Sequence, residues 1–71
     1  MDHKRDVHGH VVYADDAAKD GLNYLDYDLD GDAAEAFFRQ AKQTGQATFE
    51  DEHERQYAVS YRGGAYYIER M

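Results

Sequence analysis

The chain contains no cysteine, no proline and no tryptophan, and it is short of positive charge: eight Lys and Arg stand against fifteen Asp and Glu in 71 residues, a net charge of −7. Each shortage excludes something. Without cysteine no disulfide supports a domain of this size, which hides only about 60% of its unfolded surface, so stability has to come from tight packing, self-association or a partner. No apolar run approaches the roughly 18 residues of a membrane span. The opening Met1-Asp2-His3-Lys4-Arg5-Asp6 lacks the apolar core of a signal peptide. These features predict one small acidic domain over residues 1–71, cytoplasmic, with residues 1–6 disordered and no membrane partner.

What is present argues for a folded chain. Hydrophobic residues make up 42% and tyrosines number seven, too rich a mixture for a disordered acidic tail. The clearest pattern lies at the C-terminus, where Tyr57, Val59 and Tyr61 alternate with Ala58, Ser60 and Arg62, followed by Gly63-Gly64 and a second alternating run from Tyr66 to Arg70. Two glycines between alternating runs predict a hairpin with a type I′ turn. That loop length sets Tyr61 opposite Tyr66, Val59 opposite Ile68 and Ser60 opposite Tyr67, so Tyr57, Val59, Tyr61, Tyr66 and Ile68 form the buried face and Tyr67 the other. Gln46 to Glu50, with Ala47 and Phe49 on one side, predicts a third strand of the same meander.

Ahead of it, Ala34, Phe37, Phe38 and Ala41 recur at helical spacing, predicting a helix from about Ala33 to Thr44. Asp32 and Glu35 supply a capping box and Gly45 the residue that ends the helix. The alternation of Val7, Val11 and Tyr13, and that of Leu25, Tyr27 and Leu29, predict two further strands. Between them Asp15 to Asp20 forms a helical turn capped by Asp15 and stopped at Gly21. The order β-β-α-β-β-β gives an α+β class with a single helix packed on an antiparallel sheet and a C-terminal three-stranded meander.

The acids are unevenly spread. Seven Asp lie between Asp15 and Asp32 with only Lys19 among them, and a second run is Glu50-Asp51-Glu52-His53-Glu54. Such a surface repels nucleic acid and attracts basic proteins or cations. One Arg62-Gly63-Gly64 does not offset it, so direct nucleic-acid binding is not expected. Within the first run, Asp26-Tyr27-Asp28-Leu29-Asp30-Gly31-Asp32 resembles the opening of an EF-hand or dockerin-type calcium loop, with carboxylates at positions 1, 3 and 5 and then glycine. The position that should close the coordination sphere with a bidentate Glu is Phe37. Read as a strand instead, the same stretch projects Asp26, Asp28 and Asp30 in a row about 6.6–6.8 Å apart, a spacing of anions that imitates a phosphate backbone.

His8 and His10 share one face of the expected first strand, too few ligands for a transition-metal site. Met1-Asp2-His3 resembles the amino-terminal copper and nickel motif. His3 and His53, like these, are expected to be solvated. No cysteine nucleophile and no Ser-His pairing is present, so no catalytic constellation is expected.

The sequence therefore predicts a non-enzymatic acidic protein-binding module without a cofactor. Its partner would be a larger, basic protein, whose nucleic-acid-binding surface it would occupy as an inhibitor or regulator. The expected contact residues are Asp15, Asp16, Tyr24, Asp26, Asp28 and Asp30 with a second patch of Glu50, Asp51, Glu52 and Glu54. The alternatives are a calcium-binding module at Asp26, Asp28, Asp30 and Asp32, and a structural subunit that self-associates through an edge strand or exposed tyrosines.

Overall fold

The computed structural model describes residues 3–71. Two strands, β1 (His3–Val7) and β2 (His10–Ala14), open the chain. A 3₁₀ turn (Asp16–Ala18) leads into a short helix, α1 (Lys19–Asn23), which runs on as a π-helical turn (Tyr24–Asp28), and the long helix α2 (Gly31–Thr44) follows. Strands β3 (Gln46–Glu50), β4 (Gln56–Arg62) and β5 (Ala65–Arg70) complete a five-stranded sheet of order β1-β2-β5-β4-β3. The α+β class and the order β-β-α-β-β-β are as expected, but two helices, α1 and α2, stand where a single one was expected. No helix among the described residues is long and apolar enough to cross a membrane.

The meander is the part the alternation defined. Its β4–β5 register pairs Tyr61 with Tyr66, Ser60 with Tyr67 and Val59 with Ile68, and Gly63 and Gly64 have φ of 59° and 85°, as the two-residue turn requires. Ala47 and Phe49 of β3 point into the core with Tyr57, Val59, Tyr66 and Ile68, under Phe38 and Ala41 of α2. Gly45, at φ 93°, ends α2 by donating its N–H to the Ala41 carbonyl at 2.8 Å.

Four expectations about the rest are corrected. The sheet is mixed rather than wholly antiparallel, because β2 pairs parallel to β5, with Val12 opposite Tyr66 and Ala14 opposite Ile68. The first strand is broken at His8-Gly9, whose φ values of 51° and 87° make a two-residue hairpin between β1 and β2. The turn shifts the phase of the alternation, so Val7, Val12 and Ala14 are buried while Val11 and Tyr13 face the other way. His3 to Asp6 belong to β1 rather than to a disordered tail; residues 1 and 2, and with them two thirds of the Met1-Asp2-His3 motif, lie outside the described residues. The expected strand around Leu25 is helical: Ala18, Gly21, Leu22 and Leu25 are buried together at spacings of three and four, a helical period that outweighs the local alternation of Leu25, Tyr27 and Leu29. The Leu29 N–H reaches back five residues to the Tyr24 carbonyl at 3.1 Å and closes the π turn.

The open face of the sheet carries a ladder that ties the parallel junction. Tyr13 and Tyr67, directly paired across β2 and β5, stack 5.2 Å apart at 15°. That separation nearly equals the spacing of strands, so the rings stand on edge side by side. The Arg62 guanidinium covers the outer face of Tyr67 at 4.6 Å and the Lys4 ammonium lies 6.0 Å from the Tyr13 ring. Both ends of the stack are thus closed by cations.

Candidate functional site

The helical path of residues 16–28 decides where the acids go. Successive residues two apart on a helix point in different directions, so the regular row of Asp26, Asp28 and Asp30 does not form. Asp26 turns back to the sheet and pairs with Arg5 at 3.3 Å, and Arg5 also donates to Asn23 at 2.6 Å. Asp28 stays exposed. Asp30 is extended, at φ −74° and ψ 171°, and its carboxylate accepts the Ala33 N–H at 2.8 Å, so Asp30 and not Asp32 caps α2. Asp32 falls in the first turn of α2 beyond the cap, and Glu35 reaches His10 at 2.5 Å instead of the helix start. The His10–Glu35 hydrogen bond holds the Glu35 carboxyl below its ordinary value. The calcium-loop expectation is corrected by the same geometry: Asp26 and Asp30 are spent on Arg5 and a helix cap, and among the described residues no three His, Cys, Asp or Glu side chains converge on a point that could hold a metal. His8 and His10 likewise part company, His8 bonding the Leu25 carbonyl at 3.0 Å from the hairpin turn.

The second acidic run has a different organisation. Asp51 is buried, its side chain only 1% exposed. Its carboxylate accepts the backbone N–H groups of His53 and Arg55, both at 2.9 Å, the Arg55 Nε at 2.8 Å and the Tyr57 hydroxyl at 3.1 Å. Burial pushes this carboxyl up, but the donors from Arg55, His53 and Tyr57 together outweigh it and hold the group at about 2. Burial, and then the bond to Asp51, raises the Tyr57 phenol. Asp51 therefore shapes the turn. Glu50, Glu52 and Glu54 remain exposed around it, with Glu54 in the left-handed region at φ 64°.

Arg55 joins the two acid-rich segments. Its Nη1 donates to Asp20 of α1 at 2.7 Å while its Nε holds Asp51. The junction leaves a shallow depression of ≈ 150 Å³ between α1, the π turn and the β3–β4 turn, lined by Asp20, Asn23, Tyr24, Asp28, Asp51, Glu52, His53 and Arg55. Four carboxylates stand there against one guanidinium. Tyr24 forms part of the wall and is held by parallel stacking on Phe49, 6.2 Å away at 7°.

Of the residues read from the sequence as contacts, the fold brings Tyr24, Asp28, Asp51 and Glu52 to this depression. Asp15 lies elsewhere, capping the 3₁₀ turn through Ala18 N–H at 2.9 Å and lining a groove on the open sheet face with Tyr13, Arg62, Tyr67 and Glu69. Asp16 is exposed and meets His3 at 2.6 Å, a bond that lowers its carboxyl pKa. Asp20, Asn23, His53 and Arg55 complete the depression and were not singled out by sequence. No signal short of the fold couples Arg55 to Asp20, 35 residues away.

Comparison with protein-family models, with curated proteins and with solved structures finds no match.

Proposed function

We propose that the protein is an acidic binding module that docks on a basic segment of a larger protein, with a Lys or Arg side chain of that partner entering the depression between Asp20, Asp28 and Glu52. The observation that carries this reading is the meeting of two acid-rich segments at one place through the Asp20–Arg55–Asp51 chain of contacts. The size of the depression supports a side chain as its occupant. At ≈ 150 Å³ it falls well below the roughly 300–1,000 Å³ of pockets that hold small molecules. Arg55, anchored on the buried Asp51, holds the Asp20 carboxylate at 2.7 Å, so that carboxylate is positioned before the partner arrives, which reduces the ordering cost of binding. The surrounding charge of −7 steers a cationic partner toward it.

The reading differs from display of a regular phosphate-like row, since it needs one local cluster. Any acidic protein attracts a polycation, so the test compares two double variants with the same net charge. Asp28→Lys with Glu52→Lys alters the rim, and Asp32→Lys with Glu69→Lys alters exposed sites away from it. Binding of an arginine- and lysine-rich peptide is measured by fluorescence anisotropy at low and moderate salt. The rim variant should lose at least ~10-fold more affinity than the control, on the scale of 1.4 kcal/mol per tenfold. Equal losses would reduce the attraction to net charge and sink the proposal.

A further inference from the structure

We infer that the β3 edge of the sheet is a self-recognition surface, on which a second copy of this chain adds its own β3 antiparallel about a two-fold axis at Thr48. The two edges of the sheet differ in chemistry. Strand β1, at one end, has Lys4, Arg5 and Asp6 among its five residues, the charged protection usual for a free edge. Strand β3, at the other, reads Gln46-Ala47-Thr48-Phe49-Glu50 with one charge, no proline and no glycine.

The hydrogen-bond phase tells which groups of β3 are unspent. The Asp51 N–H donates to Arg55 carbonyl at 3.0 Å, and Met71 N–H to Gln56 carbonyl at 2.9 Å. With the β3–β4 and β4–β5 registers, the odd residues of β4 bond toward β3 and the even ones toward β5. Ala47 and Phe49 therefore bond to β4, and the backbone groups of Gln46, Thr48 and Glu50 point outward. The Gln46 carbonyl already accepts the Thr44 hydroxyl at 2.8 Å, leaving Thr48 and Glu50 with both groups free, among the described residues, for a neighbour.

A second β3 in antiparallel register on Thr48 meets each of these groups with its own. Thr48 faces its symmetry mate, a favourable cross-strand pair, while Gln46 faces Glu50 and Ala47 faces Phe49. No like charges are opposed, and a small residue meets a large one on the core side. The segment that flanks the axis is also electrically balanced: residues 33–50, covering nearly all of α2 and β3, contain Glu35 and Glu50 against Arg39 and Lys42. The whole excess of −7 lies outside that segment. The same edge is self-complementary in the way a two-fold interface requires, and it uses none of the residues of the acidic depression.

Sedimentation equilibrium of the full chain, up to about 0.5 mM and at ionic strengths of roughly 0.1 and 0.5 M, tests this. The mass should rise from 8.2 kDa toward twice that value, and more so at the higher salt, where repulsion between two −7 molecules is screened. Thr48→Lys places two ammonium groups across the axis and should weaken association at least ~10-fold, even though it lowers the net charge. Thr48→Pro removes only an outward N–H and should do the same with β3–β4 pairing intact. In the unmodified chain, amide exchange at Thr48 and Glu50 should slow as protein concentration rises, a readout independent of any variant. A monomer under every condition, association unchanged in both variants, or Thr48 exchange that ignores concentration would overturn the inference.

Discussion

Gly21→Ala should destabilise the protein, although alanine is the better helix former. Gly21 is buried within α1 and has no left-handed φ, so backbone freedom does not explain it. A Cβ there would lie 2.8 Å from Cδ1 of Tyr57 and 2.9 Å from its Cε1 and Cγ. The ring cannot yield easily: it is fully buried, stacked on Phe49 at 5.3 Å, and its hydroxyl is fixed on Asp51. Alanine gains up to about 1 kcal/mol in helix propensity. Forcing a methyl into a packed core costs about 1–3 kcal/mol, and three contacts under 3 Å with a ring that cannot move put this site at about 2–3 kcal/mol, so the net loss is about 1–2 kcal/mol. For a domain of this length 1 kcal/mol moves Tm by about 4–8 °C, and thermal unfolding followed by circular dichroism should fall by about 5–15 °C. In a Tyr57→Leu background, where the flat ring is gone, the same substitution should be neutral or stabilising, giving a coupling of at least ~1 kcal/mol in the double-mutant cycle. A Gly21→Ala protein that melts at or above the parent's temperature would refute the reasoning.

Two further predictions follow from the polar groups. Because Asp51 is held at about 2 in the folded state and near 3.9 when unfolded, its contribution is complete above pH ~4 and is lost as the pH falls toward ~2; urea unfolding at stepped pH should show that acid-side loss in the parent, and Asp51→Asn should be weaker at neutral pH with a flatter acid limb. Asp30→Ala should cost about 1 kcal/mol by removing the cap of α2, whereas Asp32→Ala should cost clearly less, and equal costs in chemical denaturation would return the cap to Asp32.

The fold was legible wherever one period ran without interruption. In Tyr57 to Arg70 the alternation, the Gly63-Gly64 turn and the apolar face all agree, and the observed register follows residue by residue. Residues 7–30 were ambiguous for a physical reason. His8 takes a positive φ that histidine tolerates but does not advertise, and the turn it makes reverses the inside and outside of the first strand. Leu25 and Leu29 fit an alternating pattern and a helical one at once, and only burial with Ala18 and Leu22 decides between them. The candidate site was legible as composition, in two acid-rich runs. Its assembly was not, because it depends on Arg55 spanning from Asp51 to Asp20 and on burial of Asp51, a carboxylate that its exposed-looking neighbours Glu50 and Glu52 disguise.

In the proposed function a local cluster, not the overall charge, receives a basic partner. A residue-resolved NMR titration of the full chain with an arginine- and lysine-rich peptide tests it most directly. The largest amide shifts should fall on Asp20, Asn23, Tyr24, Asp28, Glu52 and His53 and saturate together with one affinity. Shifts spread evenly over all exposed acids, Asp32 and Glu69 included, would contradict it.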